Sequence, residues 1–184
     1  SYVIIKPAIE PRLGDKHYLY NLRYIEPIKL EIVKRVIGLI DSYVESDNIL
    51  ITGSFLNMGF NFGDLDILLV TEKNINEKYI EGVLYKSLGI KIHLIKINKK
   101  ALAIGLESDP LFGMMLSRCI SKKRLIYNRK KKINYKLLDL HLLKSKTLID
   151  SFDFLNGDEK YYLTRNMVAI DFFIKNKKID TDIV

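Results

Sequence analysis

Residues 49–70 read ILITGSFLNMGFNFGDLDILLV. Two apolar runs flank a stretch rich in Gly and Asn. Gly53-Ser54 follows the first run, and Asp64 and Asp66 open the second. On a strand, residues two apart point the same way, so a strand over 64–70 would project both carboxylates from one face. Unscreened, they repel, and the pattern asks for a positive partner. Mg²⁺ accepts a few carboxylate oxygens and completes its shell with water and substrate phosphates. Glycine at position 53 lets the backbone come close, and exposed N–H groups beside the Ser54 hydroxyl make an anion cradle. Cation site and phosphate cradle together imply a bound polyphosphate and in-line displacement at phosphorus. The alternative is a turn capped by Asp64 with Asp66 on an exposed edge, since a two-residue motif is weak by itself.

Working outward, 27–45 carries an apolar stripe at helical spacing, with Pro27 suited to a first turn. Residues 48–53 form a short β-rich run, 55–63 a turn of helix plus a loop, and 64–72 a strand covered on both faces. The spacing predicts a helix over 75–89, stopped by Gly89, and a strand over 90–97, IKIHLIKI, whose alternation implies one covered face. Further helices are expected over 109–122, 134–155 and 158–176, with a short strand at 124–128. Gly157 would break the last pair and Asp158 would cap the second. The fold class is α/β, with residues 1–26 an arm or strand pair, 27–133 the core and 134–184 a two-helix extension.

The combination of apolar strand, Gly-Ser, spacer, Asp-Leu-Asp and apolar run resembles the DNA polymerase beta-like nucleotidyltransferase superfamily, and in its compactness the minimal nucleotidyltransferases, a mainly prokaryotic group. The resemblance covers roughly residues 27 to 128. It implies a small mixed, twisted sheet flanked by helices. By resemblance, Gly53 and Ser54 would hold the β- and γ-phosphates of a nucleoside triphosphate, and Asp64 and Asp66 would bind two Mg²⁺. Members transfer a nucleotidyl group to a hydroxyl or similar acceptor and release pyrophosphate. Active members also carry a third carboxylate on a later strand. Here the matching strand is IKIHLIKI, and the residue flanked by Ile92 and Leu94 is His93. Histidine can ligate Mn²⁺ or act as a base near neutral pH, but is a poor Mg²⁺ ligand. Two readings follow: an enzyme using two carboxylates, supported by His93 or Asp109, or a catalytically impaired module that still binds nucleotide or nucleic acid.

The net charge of +8 is uneven: residues 93–184 hold 19 Lys and Arg against 10 Asp and Glu. The excess lies in SKKRLIYNRKKK (121–132) and KNKK (175–178), which form either a surface for a polyanionic acceptor such as RNA or a solvated lysine-rich face. Arg118, Lys122, Lys123 and Arg124 are candidates to reach a triphosphate. Cys119 is the only cysteine, which excludes an internal disulfide and cysteine zinc clusters. His141 reads as a packing residue. No apolar run nears the about 20 residues of a membrane span, the N-terminus lacks a signal-peptide layout, and a cytoplasmic protein is expected. The last helix is apolar on more than one side, so it either packs between the core and its neighbour or contacts a second copy or helical partner.

Overall fold

The computed structural model describes residues 2–4, 17–128 and 132–177. The two apolar runs of the central stretch become β3 (Asn48–Thr52) and β4 (Leu65–Val70), once β1 (Tyr2–Ile4), β2 (Tyr18–Tyr20) and α1 (Pro27–Tyr43) have been counted. β3 and β4 pair antiparallel from Asn48↔Val70 to Thr52↔Asp66. The helix α2 (Glu77–Leu88) carries the chain over to β5 (Ile92–Ile97), which lies parallel to β4. Gly89 ends α2 in the left-handed region at φ +68°, as a C-terminal glycine should. On the other side of β3 lies β6 (Cys119–Ser121), and β2 forms the far edge. The order is β2-β6-β3-β4-β5: a mixed, five-stranded sheet in an α/β fold.

Alternation along the strands decides what each face buries. Ile49, Ile51, Leu65, Ile67, Leu69, Ile92 and Leu94 pack against Val33, Val36, Ile37 and Ile40 of α1 and Ile80 and Leu84 of α2. Leu50, Leu68 and Val70 pack on the opposite face with Tyr20, Leu116 and Leu125. Residues of α3 (Lys99–Ser108) and α4 (Pro110–Ser117) cover that second face. β4 is therefore buried on both sides from Ile67 to Val70, which explains the unbroken apolar run there. β5 is an edge strand covered on one side only: Ile92 and Leu94 are buried, whereas His93 and Ile95 are exposed. The second face is thus open beside the start of β4.

Several expectations need correction. The helix expected over 109–122 stops at Ser117, and Cys119–Ser121 is a fully buried strand. Pairing with β2 and β3 satisfies its backbone, and this outweighs local helical spacing. α3 was not anticipated; Asn98 caps it by accepting from Ala101 N. β7 (Ile126–Asn128) leaves the main sheet and pairs antiparallel with β1. The long helix expected over 134–155 is α5 (Tyr135–Asp150), followed by a 3₁₀ turn at Phe152–Phe154. The cap of α6 (Gly157–Ile174) is Asn156, reciprocated by Glu159, rather than Asp158. α6 packs against both α4 and α5, burying Leu163, Ala169, Ile170 and Phe173. Parts of the expected N-terminal arm (5–16) and of the two basic runs (129–131 and 178) lie outside the described residues. No helix among the described residues is long and apolar enough to cross a membrane.

Candidate functional site

The chain leaves β3 through Gly53, whose φ of +84° and ψ of −165° are accessible essentially to glycine alone. Ser54–Leu56 then forms one 3₁₀ turn, closed by Leu56 N donating to Gly53 O at 3.2 Å. Phe55 and Leu56 are buried and hold the turn, while Ser54 is exposed. Glycine is required for a second reason. A Cβ at position 53 would lie inside 3.0 Å of Asp66 Oδ2, and 3.1 Å from Asp66 Cγ. The Gly-Ser and Asp-x-Asp parts of the pattern are therefore in contact, brought together by the Thr52↔Asp66 pairing.

Asp66 is half-buried in β4 and pairs in register with His93 on β5. Their side chains meet at 2.9 Å, Nδ1 to Oδ1. A carboxylate oxygen accepts, so Nδ1 is the donor in this contact, and in the neutral tautomer that fits it Nε2 is an acceptor. Glu81 of α2 supports this strand. Its Oε1 accepts from Leu94 N at 2.9 Å, satisfying an edge N–H next to His93. Burial pushes the Glu81 carboxyl up, but hydrogen bonds from Lys78 and Leu94 outweigh it and leave the group below its ordinary range. Asp64 stands one residue before β4, half-buried, so only Asp66 of the pair belongs to the ladder. The next residue, Leu65, donates its N–H to Lys91 O at 2.8 Å.

Sequence reasoning missed the residue that holds the connecting loop. Lys29 is completely buried, and its ammonium donates to Asn57 O and Gly59 O, both at 2.5 Å. Glu26 lies 3.1 Å from the same ammonium and also accepts from Gly59 N at 2.6 Å. The Gly59 N–H, Glu26's own N–H and Lys29 together hold the Glu26 carboxyl below its usual range. The rings of Phe55, Phe60 and Phe62 stand 5.3–5.7 Å from the ammonium. One cation thus ties α1 to the loop between Gly53 and Asp64. A signal existed in the sequence: Lys29, Val33, Val36 and Ile40 share the buried spacing of α1.

The basic candidates separate. Arg118 lies at the Gly53 end: its guanidinium donates to Asn57 Oδ1, and its carbonyl accepts from Thr52 Oγ1 at 3.2 Å. Lys122, Lys123 and Arg124 lie beside Asn48, at the other end of β3. Lys122 pairs with Asp41 at 2.5 Å. Asp109 caps α4 by accepting from Leu111 N and Phe112 N, and His141 packs onto it at 3.1 Å, so both have structural partners. Cys119 is fully buried and its thiol is pushed up to about 12, which makes it inert at neutral pH.

Among the described residues, no group of three or more His, Cys, Asp or Glu side chains is assembled to hold a metal ion. Asp64 and Asp66 offer carboxylate oxygens, the type of ligand Mg²⁺ takes before water and substrate phosphate complete its shell. No protein-family model and no curated protein matches this sequence. A solved structure described as a tri-AMPylated Shewanella oneidensis HEPN toxin in complex with MNT antitoxin contains a chain similar to this one at a TM-score of 0.36 and 13% identity, over 76% of this chain and 98% of that chain. A TM-score of this size says nothing about this chain's fold or partners.

Proposed function

We propose that this protein is a metal-dependent nucleotidyltransferase that moves a nucleoside monophosphate from a nucleoside triphosphate to a hydroxyl acceptor. The carrying observation is the meeting of Gly53, Asp66 and His93 at the open end of the sheet, where Gly53, in a backbone conformation that favours glycine, lies against the Asp66 carboxylate. Asp64 and Asp66 would hold Mg²⁺ or Mn²⁺, which when bound neutralises phosphate charge. Gly53 and Ser54 would receive the β- and γ-phosphates, with the Ser54 hydroxyl exposed to donate. Asp66 orients His93, leaving Nε2 to accept the proton of the acceptor hydroxyl. Arg118, anchored at the same end, adds positive charge where a phosphate would sit. The acceptor is RNA, a protein hydroxyl or a small molecule, and the exposed apolar residues of α5 and α6 offer a surface for a second copy or a helical partner.

One observation favours a second reading, a nucleotide-binding protein without transfer activity: the partner of Asp66 is histidine where the resemblance expects a carboxylate. Thermal-shift titration with each nucleoside triphosphate, with and without Mg²⁺ or Mn²⁺, tests the shared part. A metal-dependent rise in Tm, absent in Asp64→Asn/Asp66→Asn, is expected; no rise with any nucleotide would sink both readings. Transfer assays on His93→Asp then separate them. Loss of transfer means that histidine serves as the base, whereas a gain identifies a decayed acidic site.

A further inference from the structure

At the far end of β3 and β4 lies a cavity of about 350 Å³ that takes no part in the site above. It sits beside the Asn48↔Val70 pair, four residues along β3 from Thr52↔Asp66, or about 13 Å of strand. Its apolar wall comprises Val70, Leu102, Leu106 and Leu125. At its margin stand Lys99, Lys123 and Arg124 against a single carboxylate, Asp47. Asp47 is matched by Lys99 at 2.7 Å. Among the described residues, no carboxylate pairs with Lys123 or Arg124, so the cavity keeps a positive excess.

The two cations rest on a prearranged backbone. Asn48 Oδ1 accepts from Lys123 N at 2.8 Å, and Asn48 Nδ2 donates to Lys123 O at 3.1 Å. Leu125 N donates to Tyr20 Oη at 2.9 Å. The Arg124 guanidinium lies 5.6 Å from the Tyr18 ring centre. The backbone beneath them is already ordered, so the entropy lost when a ligand arrives is that of the two side chains alone. A space near the lower end of ordinary ligand pockets suits a single ring or short chain. We infer that this cavity, between α3 and the 123–125 segment, binds a small amphipathic anion: a phosphate or carboxylate head at Lys123 and Arg124, with an apolar body against Val70, Leu102 and Leu125.

The test is amide NMR of the full chain titrated with phenyl phosphate, with inorganic phosphate and benzyl alcohol as separate controls. Saturable shifts at Ala103, Leu106 and Leu125 are expected, with affinity at least about tenfold above either control. The surface variant Lys123→Gln/Arg124→Gln should weaken binding by about tenfold or more while leaving the fold unchanged, because both residues are exposed. Asp66→Asn should leave it intact, so this inference and the nucleotidyltransferase reading fail independently. Absence of saturable shifts up to about 10 mM, where a millimolar site would be nearly filled, overturns the inference. So does equal binding of either control, or of the double variant.

Discussion

Replacing Gly53 with alanine tests the contact on which the site depends. Two costs can be worked from the geometry. The backbone at φ +84° and ψ −165° lies where non-glycine residues are strained by about 1–3 kcal/mol. The new methyl also has no room, since it would sit inside 3.0 Å of Asp66 Oδ2 and 3.3 Å from Asp66 Cβ. The carboxylate must swing away, and the 2.9 Å bond to His93 is lost with it. For a chain of this size, strain alone should lower Tm by about 2–12 °C, since each kcal/mol shifts it by about 2–4 °C. Gly59→Ala is the control. Its φ of +79° also lies in the range that L side chains rarely adopt, yet nothing lies within 4 Å of its Cβ. The chain lacks tryptophan, so unfolding is best followed by circular dichroism. Metal-dependent nucleotide stabilisation, about 2.7 kcal/mol at 100 times the dissociation constant, should vanish in Gly53→Ala and persist in Gly59→Ala. A Gly53→Ala protein that melts with the wild type and still binds nucleotide would refute the reasoning.

Two further outcomes follow from the surroundings of the site. Lys29→Met removes the buried ammonium, leaving the carbonyls of Asn57 and Gly59 without their side-chain donor and Glu26 with backbone N–H partners alone, and should cost about 1–3 kcal/mol in denaturant unfolding; a loss under about 0.5 kcal/mol would mean that the loop does not depend on that ammonium. Glu81 has a folded-state pKa below its ordinary 4.5, so its contribution is present above that pH and is lost as pH falls through the lower folded value. The stability gap between wild type and Glu81→Gln should therefore be widest near neutrality and close below pH 4.5, remaining under about 1 kcal/mol because Lys78 is exposed; a gap that widens on acidification would reverse the sign of the argument.

Much of this was legible in local patterns. The stripe of α1, the apolar run of β4, the glycine stop of α2 and the alternation of β5 each follow from periods set by the backbone itself. The same local reading set Asp66 and His93 on separate strands; that the two are neighbours was implied only by the family resemblance, and it is the parallel register of β4 and β5 that pairs them. What it could not supply was whatever depends on partners distant in sequence. Cys119–Ser121 looked helical because its strand character comes only from pairing with residues 18–20 and 50–51. The four basic candidates looked equivalent until the antiparallel register of β3 and β6 sent Arg118 to one end of the sheet and Lys122–Arg124 to the other. The partners of Lys29 have no local signature, because the carbonyls it bonds lie 28 and 30 positions away. Sequence alone determined the α/β class and the types of residue available for chemistry, since side-chain periodicity is a property of each segment. Tertiary structure alone decided which of them meet, because register and burial are settled by hydrogen bonds and packing between segments that no local pattern records.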